Sequence, residues 1–300
     1  MDARRLRVIS QLPVAERFSV LGEGLALLAD NVATLERDAR TLSTSGSYRG
    51  AAVLRCFADE EAAKVMILLD LARAGWKNHT TVKSCMTNFY QHLARGLYVR
   101  AYRGSPADLA EIRGYVDGLR QQYYLDGPME MDWIFGNEIT TDREERLYVD
   151  YVVDENDEGR WTGPADRFAH VDEDYISAAP TSTISALTTA MHQVGLLSEA
   201  GLNATRGVWD GAIVDDTMRW AELRQLNIAV ITKLRSAHLE YTDQDTEALR
   251  DVVNNWSFPL AGLDLTLIEV DRADLQETRQ RQLAREMGML DGFEGGYDYF

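Results

Sequence analysis

Apolar residues recur at helical spacing through most of the chain. Phe18, Leu21, Leu25, Leu28, Val32, Leu35, Ala39 and Leu42 alternate three and four apart. Such a seam predicts one long helix opened near Leu12-Pro13 and packed lengthwise on a neighbour. The Ser43–Ser47 stretch, with Gly46, reads as a turn. After it Ala51–Trp76 is apolar almost all round, the signature of a helix inside a bundle. The two predict a long antiparallel helical hairpin. A third helix is predicted over Thr81–Tyr102, with Val82, Met86, Phe89, Leu93, Leu97 and Ala101 as its apolar stripe. A fourth is predicted over Pro106–Tyr123, begun by Ser105, Pro106 and Asp108 as N-cap, N1 and N3.

The period changes after Tyr124. Leu147, Val149, Tyr151 and Val153 alternate with Tyr148, Asp150 and Val152, the period of a strand. Arg160-Trp161-Thr162 can return beyond the turn at Asp154–Gly159, which predicts a β-hairpin. Helical patterns resume over Ser182–Ala200, Asp215–Tyr241, Asp243–Trp256 and Arg272–Met287, with Leu263–Val270 as a short strand or lead-in. The expected fold is mainly α. Its parts are a helical bundle (1–125), an acidic insertion with a β-hairpin (126–180) and a C-terminal helical region packing on the bundle (181–300).

The centre of the second helix breaks its own pattern. Asp59, Glu60, Glu61 and Lys64 sit in an apolar surrounding, where charge is tolerated when paired and hydrogen-bonded. Glu60–Lys64 and Arg55–Asp59 are i,i+4 pairs. Glu61 has Lys64 at i,i+3 and is expected to reach another helix. The block therefore predicts a buried structural charge network.

Charge is divided along the chain. The net formal charge is −17, which argues against a broad nucleic-acid surface. Yet Leu71–Ala107 holds no acid and six bases: Arg73, Lys77, Lys83, Arg95, Arg100 and Arg103. Asp126–Tyr175 holds 16 acids against four arginines. An anion site in the first segment, masked by the second, is one reading; mutual neutralisation of two surfaces is the other. Cys56 and Cys85 fall in apolar helical patterns and read as core thiols, which points to a cytoplasmic protein. No wholly apolar run approaches the ~20 residues of a membrane span. Phosphate-loop, dinucleotide, serine-hydrolase and zinc-protease motifs are missing, and no Glu-x-x-His or His/Cys spacing predicts a metal. No cofactor is expected.

The two long helices, the Asp59-Glu60-Glu61-Ala62-Ala63-Lys64 block and the following Phe89-Tyr90-Gln91-His92-Leu93-Ala94-Arg95 resemble the HEPN domain of AbiV-type abortive-infection proteins. The resemblance covers about residues 15–105, with alanine at position 63 where the family tends to have glycine. It implies a HEPN-like antiparallel bundle that often dimerises and, in many members, a metal-independent ribonuclease or toxin. Active members carry Arg-x4-6-His, and Arg73 with His79 is the one match. His92 with Arg95 is the second candidate pair, a histidine to move a proton and an arginine to hold phosphate charge. Lys83, Arg100 and Arg103 are the expected RNA-binding residues. The expected partners are a second copy of the chain, RNA and a regulatory protein, with no membrane. The other reading is a non-catalytic sensor or interaction module.

Overall fold

A computed structural model describes residues 5–124, 135–153, 159–164, 181–236 and 245–286. The fold is mainly helical. Helix α1 spans Val14–Thr44 and α2 spans Tyr48–Ala74, and they pack along each other as the long hairpin that the apolar seam predicts. Leu21, Leu25, Ala29 and Val32 of α1 are buried against α2. Helix α1 is long and apolar enough to cross a membrane by length and composition alone, although its seam lies inside the fold.

Helix α2 is the axis of the molecule. Ala58, Ala62, Ala63 and every residue from Val65 to Arg73 are buried. Around it stand α3 (His79–Asn88), α4 (His92–Ala101), α6 (Glu138–Leu147), α7 (Thr183–Gln193) and α8 (Glu199–Trp209), each in contact with it. Helix α5 (Leu109–Leu119) packs on α4. Helix α9 (Trp220–Ser236) lies between α8 and α10 (Asp245–Asn255), and α11 spans Arg272–Glu286. One apolar core runs unbroken from Phe18 through Leu69 and Leu97 to Trp256 and Leu265. Short strands β1 (Tyr123–Tyr124) and β2 (Phe135–Gly136) pair antiparallel before α6. After it β3 (Asp150–Val153) pairs antiparallel with β4 (Gly159–Thr162), Tyr151 opposite Trp161.

Several elements depart from the sequence expectations. The third predicted helix is two helices, because the chain turns at Phe89–Gln91 and Gln91 takes extended angles as the N-cap of α4. A stripe of apolar residues cannot reveal such a break when both pieces bury their stripe on the same neighbour. Helix α5 begins at Leu109 rather than Pro106, since the Asp108 side chain accepts from the Glu111 amide and is the cap. The helix expected over Ser182–Ala200 ends at Gln193, and α8 begins at Glu199 and runs on to Trp209, where no helix was expected. Ser198 caps it, and the turn at Gly195 (φ 75°) separates it from α7. Residues 259–271 are irregular but tied to the β1 side, Gln121 bridging to Ile268. Most of the predicted turn at Asp154–Gly159 and much of the acidic insertion (126–180) lie outside the described residues.

Candidate active site

The charged block of α2 divides three ways. Asp59 faces α7, where the Ser182 hydroxyl and the Ser185 hydroxyl (3.1 Å) donate to it, and its burial raises its pKa. Glu61 pairs with Lys64 along the helix, and Lys64 lies over the Phe89 ring at 5.5 Å. Glu60, expected to pair with Lys64, instead turns to α4 and α6. The i,i+3 partner thus takes the lysine, and Glu60 is the residue that reaches other helices.

Glu60 is buried and gathers three nitrogen groups. Arg95 Nη1 is 2.8 Å from Oε2, Arg143 Nε donates to Oε1 at 2.8 Å, and His92 Nδ1 is 3.0 Å from Oε2. The helix break makes this possible, since it places His92 at the first position of α4. The Arg95 side chain then ties down the break, donating to Tyr90 O at 3.4 Å and to Gln91 O at 3.3 Å, which also accepts from the Arg95 amide at 3.1 Å. Its side chain is only 8 % exposed. Arg95 is therefore turned inward as a buttress, where a phosphate-facing role was expected. The His92 side chain is 50 % exposed.

Arg95 Nη2 also lies 3.0 Å from His92 Nδ1. Glu60 Oε2, at the same distance, accepts from this nitrogen in the Nδ1–H tautomer, whereas Arg95 donates to it in the other. In the Nδ1–H tautomer Nε2 is the basic ring nitrogen, on the side of the ring away from Nδ1. Burial, followed by the charges of Arg95 and Arg143, lowers the His92 pKa, and Glu60 opposes this only in part. The lowered pKa favours the neutral imidazole, the state a general base requires.

His92 and Glu60 line a cleft of about 100 Å³ between α2, α4 and α6. Arg55, Arg100, Arg103, Arg143 and Arg146 line it as well, against the acids Asp59, Glu60 and Asp142. Gly96 forms a notch in its wall. A Cβ there would overlap the Ile139 side chain, so glycine lets α6 seat on α4. Asn137 fixes the start of α6. Its Nδ2 donates to Leu119 O (2.8 Å) and Gln121 O (2.9 Å), while its Oδ1 accepts from the Ile139 and Thr140 amides.

Other candidates lie elsewhere. Arg73 is in the core, where Nη1 donates to Asp70 Oδ1 (3.1 Å) and Ser257 O (2.9 Å). Its guanidinium carbon lies 3.9 Å from the Trp256 ring centre and 4.6 Å from that of Trp209. His79 is exposed at the start of α3, so the Arg-x4-6-His match does not form a site. Lys83 is exposed on α3 and outside the cleft, whereas Arg100 and Arg103 line it. Among the described residues no group of three or more His, Cys, Asp or Glu side chains is placed to hold a metal. Sequence reasoning missed Arg143, Arg146 and Gly96. The available signal was that two of the four arginines in the acidic segment stand three apart, Arg143 and Arg146.

Comparison with known families matches residues 20–181 to HEPN_AbiV, described as AbiV, which is 162 of the 300 residues. The chain belongs to the AbiV family of HEPN domains. The match extends beyond the residues that carried the resemblance and takes in α6, so both walls of the cleft lie within the abortive-infection HEPN domain. The C-terminal helices from α7 onward lie beyond it. No curated protein and no solved structure matches the chain.

Proposed function

We propose that this AbiV-type chain is an endoribonuclease toxin of phage defence that cleaves RNA with His92 as general base. One observation carries the reading: a half-exposed histidine is backed by a buried carboxylate in an arginine-lined cleft. His92 Nε2 takes the proton of a ribose 2′-hydroxyl, O2′ attacks the adjacent phosphorus, and the bond to the 5′-oxygen breaks. The products are a 2′,3′-cyclic phosphate and a 5′-hydroxyl end. Glu60 holds the ring tautomer and stabilises the imidazolium as it forms. Arginine side chains at the cleft spread the charge that builds on the phosphorane oxygens.

The 5′-oxygen needs a proton as it leaves, and among the described residues one histidine lines the cleft. A homodimer with its two clefts facing each other would supply the second imidazole. Dimer formation by sedimentation, and loss of activity in mixed dimers carrying one His92→Ala chain, test that assembly.

A second reading, a non-catalytic sensor or interaction module, draws on the burial of Arg73 and its separation from His79. RNA incubated with the pure protein in EDTA separates the two. Cleavage that His92→Ala abolishes supports the enzyme, and intact RNA supports the module.

A further inference from the structure

Three ion pairs at the cleft join arginines to carboxylates of α6. Arg100 Nη2 lies 2.9 Å from Glu138 Oε1 and 3.9 Å from Asp142 Oδ2, and Arg146 Nη2 lies 2.9 Å from the same Asp142 oxygen. Two arginines on facing helices thus converge on one carboxylate, with a second carboxylate beside it. A phosphodiester presents the same thing, two anionic oxygens on one centre, and arginine grips either group with the same fork.

We infer that Arg100 and Arg146 form the subsite for a phosphate of the RNA backbone, and that Glu138 and Asp142 occupy it as resident stand-ins for that phosphate. The inference rests on the RNA reading above and names the group the strand must displace. Helix α6 itself need not move. Asn137 and Ile139 hold its backbone at Leu119, Gln121 and Gly96. Glu138 has a side chain 49 % exposed and swings out by a change of rotamer. Asp142 is more enclosed, at 23 %, and is the firmer competitor. The exchange leaves Arg143 on Glu60, so the histidine stays oriented while the phosphate enters.

The arrangement restrains RNA binding by charge. An incoming phosphate meets arginines already neutralised, and its gain is the difference between two similar ion pairs. Several phosphates bound at once, along a single strand reaching Arg103, offset that handicap where a mononucleotide would not.

The test measures binding apart from cleavage. Fluorescence anisotropy of a 2′-O-methyl single-stranded 12-mer, which no 2′-hydroxyl mechanism can cut, compares four proteins. They are the wild type, Glu138→Gln/Asp142→Asn, Arg100→Gln, and a charge-matched control, Glu16→Gln/Glu23→Gln, on the exposed side of α1. The expected result is about tenfold tighter binding by the Glu138/Asp142 variant, several times the change in the control. Its salt dependence should be steeper by roughly one phosphate contact. Arg100→Gln should weaken binding by a similar factor. Equal thermal melting of the four proteins excludes a gain that comes from exposing buried arginines such as Arg73 and Arg95.

Equal affinity of the wild type and the Glu138/Asp142 variant, or an equal gain in the control, overturns the inference. Cleavage of unmethylated RNA is scored separately. Tighter binding without cleavage by any protein keeps the phosphate subsite and removes the nuclease reading. Wild-type cleavage with no gain in binding does the reverse. No RNA binding by any of the four overturns both.

Discussion

Two arginine–carboxylate assemblies sit on α2, about ten residues apart, and they do opposite things. At Asp70 and Arg73 the side chains are 1 % exposed, and beyond its pairing with Arg73 along the helix the carboxylate ties α2 to other parts of the fold. Tyr98 of α4 donates to Asp70 Oδ2 at 2.8 Å, and the Leu260 amide at 2.7 Å. Arg73 reaches Ser257 and stacks on two indoles. At Glu60 the carboxylate is as firmly held, by Arg95 and Arg143, but the third group on it is a histidine with half its surface in solvent. Burial of a charge cluster alone does not mark a reactive site. A titratable group left at its edge, with its protonation set by the cluster, does.

The largest expected effect belongs to the core pair. Arg73→Met strands the Asp70 carboxylate in the interior and should cost about 3–5 kcal/mol in urea unfolding. His92→Ala should leave unfolding nearly unchanged, because the side chain is half exposed, while RNA cleavage falls by about a hundredfold or more. A large stability loss in His92→Ala, or none in Arg73→Met, would erase the contrast between the two assemblies.

Gly96→Ala probes the seat of α6. Its Cβ would overlap the Ile139 side chain, so stability should fall by roughly 1–3 kcal/mol, with cleavage reduced as Arg143 draws away from Glu60. Unchanged stability would mean that α6 is not wedged there.

The smallest effects are shifts in pH dependence, and their signs are opposed. Cleavage needs neutral His92, so it should be full at neutral pH and decline as pH falls through the lowered His92 pKa. Arg143 lowers that pKa and Glu60 raises it. Arg143→Met should therefore move the acidic limb up in pH, and Glu60→Gln should move it down. Both limbs moving the same way would show that His92 does not titrate against these neighbours.

Much of this was legible in the chain, for definite reasons. The α1–α2 hairpin follows from apolar spacing that only a lengthwise pairing satisfies, and the charged block had to find partners because its surroundings are apolar. The partners themselves were not legible. Glu60 and Glu61 are adjacent acids with equal claims on Lys64, and only the packing of α4 and α6 decides which one the helix keeps. His92 and Arg95 were found as a pair, but their division of labour depends on the break at Phe89–Gln91, whose carbonyls at Tyr90 and Gln91 the Arg95 side chain reaches. Arg143 was hidden by its setting, a base in a segment of net charge −12. The Arg73–His79 spacing matched a motif across a helix end. Gly75 and Trp76, both with φ of 65°, turn the chain there and send the two residues apart.

The most direct measurement is incubation of labelled RNA in EDTA with the wild type and His92→Ala, followed by analysis of the product ends. The account predicts fragments ending in 2′,3′-cyclic phosphate from the wild type and intact RNA from the variant. Fragments produced equally by both proteins, or by neither, would contradict it.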